Sequence, residues 1–406
     1  MTVTNAPLLR VAIVGGGPGG LATAIALSKI PNVDVKLYEQ ASVLREVGAG
    51  INIGTNSWNV LELLGAADSL TTGHPEWIVL NMNGRSGEEL HRRERTPHPL
   101  KRPTIRTQRT ALQSALLAHV PPGTIQLSKK LAKLTAPPPK PTSSSAPTAS
   151  APWSATPHGP PDYDIAFTGT TIWRTLLPVD AVLDLDARFQ LTGWWHTPTT
   201  HVYFSPVGEG LWEIAARAYH DPVTHRASKV SWGVPVTNPH VEAHFGDMLP
   251  DIQEALRRVP EGGWREFAAF AGPELSRLTA WDNRVVLVGD ASHALSGAFG
   301  SGAGFAMEDG WILARELEHY GNDLSLALPL FDRTRLPYYS RMYAHLARQA
   351  ALRAVRLKEI GGEQPSYDDR VRTKIITDGG EDMSWIYIHD IGAVWDDVVK
   401  ELDHIS

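Results

Sequence analysis

Cysteine is absent from the 406 residues. Disulfides, thiolate metal sites and redox-active thiols are therefore excluded, although the compartment is not assigned by this. Long apolar runs are also lacking. Nothing approaches the roughly 18 consecutive apolar residues that a membrane helix needs. The N-terminus has no basic region ahead of its apolar run, and glycines break that run at once, so it reads as a strand rather than a signal peptide. Positive charge is in deficit: 38 Lys and Arg against 44 Asp and Glu give a net charge of −6, which argues against a nucleic-acid partner. His196, His201 and His220 show no metal-ligand spacing with carboxylates, so no metal is assigned. What is present, 42% hydrophobic and 20% charged residues, suits a globular chain with a real core. The length suggests two or three domains, and the expected setting is soluble and cytoplasmic.

The strongest local pattern lies near the start. Residues 11–14 are a short apolar run, as in a buried parallel strand. Gly15, Gly17 and Gly20 follow at G-x-G-x-x-G spacing. Residues 21–29 are strong helix formers, and residues 33–38 form a second strand ending at Glu39. One glycine allows a tight turn, one lets the backbone approach a pyrophosphate, and one permits close helix–strand packing. The helix N-terminus offers free N–H groups and a positive dipole end. Glu39 is placed to take a ribose hydroxyl. A dinucleotide site is predicted, with NAD and FAD both open on this stretch alone.

Further along, residues 57–64 predict a helix stopped by Gly65, and residues 77–82 and 88–92 a hairpin around Asn83-Gly84. Arg106 and Arg109 precede an apolar-periodic helix ending near residue 120, and residues 125–134 predict a strand. Residues 135–161 hold nine prolines among Ser, Thr and Ala, which forbids a central strand or helix interior. Strand-like stretches then occupy residues 165–167, 172–177, 189–195, 201–204 and 211–216, with turns at Gly169, Pro198 and residues 208–210. No helix intervenes, so an antiparallel sheet is expected. Residues 241–258 predict a helix, and residues 284–288 a buried strand ending at Asp290. The loop from Gly297 to Gly304 has four glycines in eight residues and opens a helix over 305–320, with Phe305, Ile312, Leu313 and Leu317 facing the core. A helix over 328–354 with a kink at Pro337, then surface helices and a tail, complete the chain. Asp290 is placed as a ligand-binding carboxylate. The loop after it would present backbone N–H groups to an anionic or electron-rich ring edge. One glycine loop suits a pyrophosphate, the other a flavin ring.

These motifs, G-G-G-P-G-G-L, R-E-V-G-A-G-I, R-T-Q-R-T-A-L and V-L-V-G-D-A-S-H-A with G-S-G-A-G, resemble those of the single-component FAD-dependent aromatic hydroxylases, the salicylate-hydroxylase-like group. The matches lie at both ends of residues 10–335, in the family's order. The resemblance implies an α/β fold: a Rossmann-type FAD-binding domain with an inserted antiparallel-sheet substrate domain and C-terminal helices. It implies FAD-binding portions at 1–72, 100–134 and 275–345, and substrate-domain portions at 73–99 and 162–274. Residues 135–161 would be an irregular segment and residues 346–406 C-terminal helices and tail. FAD would be the bound cofactor and NAD(P)H a transient electron donor. The reaction would insert one atom of O₂ into a phenolic or other electron-rich ring through a flavin hydroperoxide.

Position by position, the resemblance gives Gly15, Gly17 and Gly20 the pyrophosphate and Glu39 the adenosine ribose. Ala49 and Gly50 would lie near the flavin, Arg109 and Asp290 would contact FAD, and Gly302, Ala303 and Gly304 would face the flavin pyrimidine ring. Arg174 would orient a phenolate or carboxylate substrate. An arginine in an apolar strand is costly unless paired, so pairing with an acid of the same sheet is equally open. Tyr203 matches a substrate-contacting tyrosine, or is a packed aromatic, and His293 is a structural residue at the loop. Two features depart from the pattern. The family's D-G segment has no counterpart, the proline-rich stretch standing in its place, and Gly297 replaces a proline. A flavin-dependent reductase, dehydrogenase or epoxidase on the same fold, or an FAD-binding protein without turnover, therefore stay open alternatives.

Overall fold

A computed structural model describes residues 8–44, 49–134, 165–221, 232–361, 365–379 and 383–405; the expected irregular segment at 135–161 lies outside them. Strand β1 (Leu9–Val14), helix α1 (Pro18–Leu27) and strand β2 (Val33–Tyr38) form the predicted unit, with Val11 opposite Val35 in a parallel pair. Pro18 lies in the first turn of α1, where a missing N–H costs nothing. Next come β3 (Gly50–Ile53), α2 (Thr55–Leu64) and the short β4 (His74–Pro75). Gly65 ends α2 in the left-handed region, φ +79°, which a glycine enters without a Cβ penalty. The hairpin of β5 (Ile78–Asn83) and β6 (Glu89–Glu94) is as predicted. Then follow β7 (Ile105–Gln108), α3 (Arg109–Leu117) and β8 (Ile125–Gln126). Strand β8 completes a parallel sheet of order β1-β2-β8, while β7 lies between β3 and β4. The strand expected over 125–134 stops after two residues: the lysine-bearing stretch beyond Gln126 is exposed and, among the described residues, meets no partner strand.

The next region is β9 (Ala166–Pro178), β10 (Thr192–His196), β11 (Thr200–Gly208), β12 (Leu211–Tyr219) and β13 (Trp232–Val236), then α4 (Asn238–Glu242), α5 (Pro250–Arg257) and β14 (Trp264–Ala271). With β5 and β6 they build one eight-stranded sheet of order β13-β14-β9-β12-β11-β10-β5-β6. It is antiparallel except between β10 and β5, which run parallel. Two expected strands are one: β9 passes straight through Gly169 (φ +80°), held by β12 on one side and β14 on the other. The helix expected over 241–258 is two, the second beginning at Pro250, which cannot donate within a helix interior. Strand β14 was not anticipated.

Strands β15 (Thr279–Ala280) and β16 (Val285–Val286) pair only with each other, around Trp281, Asp282 and Asn283, all at positive φ. The strand expected over 284–288 is thus two residues long, and Asp290 lies exposed on a 3₁₀ turn, Gly289–Ala291. Helices α6 (Gly302–His319) and α7 (Leu324–Gly361), the latter continuous through Pro329 and Pro337, precede α8 (Tyr367–Gly379), α9 (Ser384–Tyr387) and α10 (Ile391–Ile405).

Two apolar cores result. Leu21, Ile25, Leu37, Val60, Leu112, Phe305, Ile312 and Phe331 fill one. Ile386 and Ile391 join it, so the C-terminal segment is not simply a surface tail. The other packs one face of the eight-stranded sheet, with Trp173, Trp195, Trp212 and Trp264, against Val241, Phe245 and Ile252 of the α4–α5 region. Because side chains alternate along a strand, Trp212, Ile214, Ala216 and Ala218 of β12 enter that core. Glu213, Ala215, Arg217 and Tyr219 point to the opposite face. Among the described residues no helix is long and apolar enough to cross a membrane.

Candidate cofactor and substrate site

The first glycine loop is built by sterics. Gly15 has φ +104°, and its N–H donates to the Tyr38 carbonyl at 2.8 Å. A Cβ on Gly20 would overlap the Gly15 carbonyl oxygen, whereas one on Gly17 would meet nothing within 4 Å. Gly17 caps α1 without a side-chain hydrogen bond, and no acid lies in the first turn. The helix end is therefore open and positive. Glu39 stands at its rim, accepting from the Gly16 N–H at 2.7 Å and the Ala41 N–H at 2.8 Å.

Two other helix ends converge here. Helices α2, from Gly54, and α6, from Ser301, also begin without a side-chain cap or a first-turn acid. A Cβ on Gly19 of α1 would come within 2.9 Å of the Ala306 Cβ on α6, and one on Gly304 within 2.8 Å of Asn56 Nδ2 on α2. Gly297, Gly300 and Gly302 have open space where a Cβ would be, and Ala303 packs at the edge of the first core. Among the described residues, the buried polar atoms Asn52 Oδ1, Asn56 Oδ1 and Nδ2, Ser57 Oγ and Ser301 Oγ find no hydrogen-bond partner. Buried polar groups are rarely left so. Uncapped helix ends, glycine-lined space and buried polar atoms without partners among the described residues fit a bound anionic cofactor with a polar ring edge.

The Asp290 turn is held from behind. Asp309 on α6 accepts from the Gly289 N–H at 2.9 Å, lies 3.0 Å from His293 Nε2 and 2.8 Å from Arg335 Nε, and also accepts from the Tyr339 hydroxyl. Burial would raise its pKa, but Arg335 and these hydrogen bonds hold it down at about 2. His293 is 1% exposed and stacks on Tyr339 at 4.2 Å. It packs behind the turn, between Asp309 and Tyr339. Asp309 and Arg335, missed in the sequence, are the groups that fix the turn.

The Ala49-Gly50 stretch is locked to the sheet. Arg109 N–H donates to the Ala49 carbonyl at 2.9 Å. Gly50 N–H donates to Glu213 Oε1 at 2.9 Å, and its carbonyl accepts from Arg174 at 2.6 Å. Arg174 also pairs with Glu213, its Nε at 3.0 Å, and Arg106 grips the other oxygen of the same carboxylate. Glu213 is wholly buried. Burial alone would raise its pKa, but Arg174, Arg106 and the Gly50 N–H outweigh it and hold it down at about 2. Arg174 is thus paired with an acid of its own sheet, the alternative that its apolar setting left open. The carboxylate that holds it was missed.

Tyr203 lies on the same face, 4.3 Å from the Trp194 ring and with the Arg106 guanidinium 5.2 Å from its own ring centre. Burial, only partly offset by Arg106, pushes its pKa up to about 12. It therefore stays a neutral phenol. Arg217 stands over Trp194, 5.6 Å from the ring centre.

The family model of the NAD(P)-binding Rossmann-like domain matches residues 13–45. A 3-amino-4-hydroxybenzoate 2-monooxygenase of Streptomyces platensis is 29% identical, covering 81% of this chain and 84% of its own. A salicylate hydroxylase of Pseudomonas putida is 25% identical, covering 95% and 93%. Among solved structures, a salicylate hydroxylase–substrate complex aligns with a TM-score of 0.70 at 22% identity, covering 96% of this chain and 98% of that one. Klebsiella pneumoniae HpxO with FAD and uric acid aligns at 0.63 and 18%, covering 97% and 93%. Those two structures show the fold that the glycine motifs implied. Motifs, fold and relatives converge: the chain is similar to FAD-dependent aromatic hydroxylases over most of its length.

Proposed function

We propose that the protein is an FAD-dependent, NAD(P)H-consuming monooxygenase that hydroxylates a phenolic or other electron-rich aromatic small molecule with O₂. The observation that carries this reading is the convergence of three uncapped helix ends beside a glycine stretch that Glu213 ties to the aromatic face of the eight-stranded sheet. Gly15, Gly17 and Gly20 would hold the pyrophosphate and Glu39 the adenosine ribose. Arg109 and Asp290 would hold the remainder of FAD, and Ala49, Gly50, Gly302, Ala303 and Gly304 would border its ring. Bound FAD supplies the redox chemistry that lets O₂ react with the ring. NAD(P)H, which has no glycine loop of its own here, would be a visiting donor, in keeping with a cytoplasmic setting.

The chain's own groups supply position and dryness. Tyr203 and Trp194 form an aromatic wall that excludes water from the reacting ring. Arg174 acts as a positioning residue: it holds the Gly50 carbonyl and Glu213, and so the edge of the cofactor site, against the sheet. A protein of this kind needs no nucleophile or metal of its own.

The test is a flavin spectrum of the purified protein, with NAD(P)H oxidation measured against a panel of small phenols and the product weighed after turnover in heavy-isotope O₂. Bound FAD, phenol-stimulated oxidation and one labelled oxygen atom in the product are expected. Failure to take up added FAD, or a product without label, overturns the reading.

A further inference from the structure

A cavity of about 520 Å³ opens between α7, α9 and α10. None of its lining residues comes from the two glycine loops or from the eight-stranded sheet. Its walls are aromatic. Tyr338 is held between His389, stacked on it at 4.3 Å, and the Arg335 guanidinium, 5.0 Å from its ring centre. It therefore offers the cavity an edge and a hydroxyl, while Trp385 stands edge-on to it at 5.9 Å. Arg335 and Arg341 of α7 also line the cavity, and no Asp or Glu does among the described residues. Arg335 is spent on Asp309 and Glu308, and Glu308 also takes His389 Nδ1 at 3.1 Å. From α2, Asn59 donates to the His389 carbonyl at 3.1 Å.

Two groups of the lining are not spent in this way. Arg341, exposed at the rim, stands over Trp385 at 4.1 Å from the ring centre, and among the described residues no carboxylate pairs with it. The Tyr338 hydroxyl is buried and finds no hydrogen-bond partner among the described residues. Burial, with Glu308 adding to it, raises its pKa, so it stays a neutral phenol. A buried hydroxyl is rarely left without a partner. A cavity of about 150 Å³ already takes benzene, so this one has room for a purine and its sugar. Aromatic side chains pack bases, and a guanidinium fork matches a phosphate. The donor in the proposed reaction, NAD(P)H, carries an adenine and phosphates, and the glycine loop after β1 is assigned to FAD.

We propose that the cavity between α7, α9 and α10 is a second nucleotide site, where an adenine nucleotide packs its base against Trp385, meets the Tyr338 hydroxyl and sets a phosphate on Arg341. The choice of a nucleotide rests on reading the protein as an NAD(P)H-consuming hydroxylase; the cavity and its uncancelled cation do not. Two sources share this chemistry, the adenosine half of NAD(P)H and a free adenine nucleotide, and the experiment separates them.

Equilibrium dialysis of the full-length protein, loaded with FAD, tests the proposal with AMP, adenosine 2′,5′-bisphosphate, adenosine and ribose 5-phosphate. At least one of the two nucleotides is expected to bind about tenfold tighter than adenosine, which lacks the phosphate, and than ribose 5-phosphate, which lacks the base. R341Q is expected to lose about tenfold for that nucleotide, the worth of a charge-assisted pair, and little for adenosine. R341K, which keeps charge but not the fork, is expected to recover part of the loss. No nucleotide binding in the millimolar range by wild type, or an unchanged nucleotide-to-adenosine ratio in R341Q, overturns the proposal. If R341Q does not retain flavin, the comparison passes to R341K, where an equal loss for nucleotide and adenosine overturns it. Initial rates then name the source. A KM for NADH or NADPH that rises in R341Q, with the nucleotide competing against the donor, assigns the cavity to the donor. An unchanged KM beside Arg341-dependent binding assigns it to a free nucleotide. Lack of FAD uptake or of phenol-stimulated NAD(P)H oxidation in wild type counts against the hydroxylase reading instead. Dialysis does not depend on turnover, and the R341Q comparison tells this cavity from an empty glycine loop, so the two failures are told apart.

Discussion

Replacing Glu213 by Gln keeps the shape of the side chain and removes one charge. In wild type that charge sits, fully buried, between Arg106, Arg174 and the Gly50 N–H. Breaking a buried pair by neutralising one partner costs about 3–5 kcal/mol, since the other charge stays behind uncompensated. A second route to the magnitude is the titration of Glu213 itself. A carboxyl moved from its ordinary 4.5 to about 2 on folding contributes about 3 kcal/mol at neutral pH. The two figures agree in size.

The sign follows from the direction of the shift. The folded pKa is depressed, so the stabilisation is complete above the unfolded value of 4.5 and is lost as pH falls from there towards about 2. E213Q has no such group to titrate. Urea unfolding of both proteins, without and with FAD, should show E213Q less stable by about 3–5 kcal/mol at about pH 7. The gap should narrow by about 1 kcal/mol at about pH 4. Flavin retention should fall too, because Gly50 loses its anchor. A variant within about 0.5 kcal/mol of wild type at neutral pH, or a gap that does not close on acidification, would refute the claim that this carboxylate joins the cofactor edge to the sheet.

Two aspartates of the second glycine region should separate. Asp309→Asn leaves Arg335 and His293 buried beside a neutral amide, and a loss of about 3–5 kcal/mol in urea unfolding is expected. Asp290→Ala, at an exposed turn, should change stability by no more than about 0.5 kcal/mol while weakening FAD retention in a flavin-release assay. Loss of stability in D290A with flavin kept would contradict both assignments. Gly310→Ala should destabilise by about 1–3 kcal/mol. Its Cβ would come 2.7 Å from the backbone nitrogen of Thr23 on α1, and the gain in helix propensity, about 1 kcal/mol, does not offset that. A more stable G310A would show that α1 and α6 can move apart freely.

How far the sequence was legible depended on whether each structural cause was local. The unit from β1 to β2 was readable because strand, glycines and helix follow within 30 residues, and each glycine answers a steric demand of its near neighbours. Gly169 misled for the same reason. Taken locally it punctuates, yet β12 and β14 pair with β9 on either side of it and carry the strand through. The strand before Asp290 looked buried and long, but Trp281–Asn283 turn the chain back at once and leave β16 two residues to pair.

The arginines show the limit most clearly. Arg174 and Arg217 look alike in sequence: each is a cation within or at the end of an apolar strand-like stretch. What separates them is register. Strand β12 sets Ala215 opposite Arg174 and Arg217 opposite Ile172, so Glu213 falls diagonally beside Arg174, within reach of a long side chain. Arg217 sits two same-face positions further along, beyond that carboxylate. A slip of one residue would send Glu213 into the tryptophan-lined core and leave Arg174 without its partner. Glu213 was itself visible as an acid in an apolar strand, the very signal that singled out Arg174, and reading the two together would have suggested their pairing. Which arginine takes the carboxylate follows from the pairing of β9 with β12, 39 residues apart at Arg174 and Glu213, and no motif around either arginine encodes it.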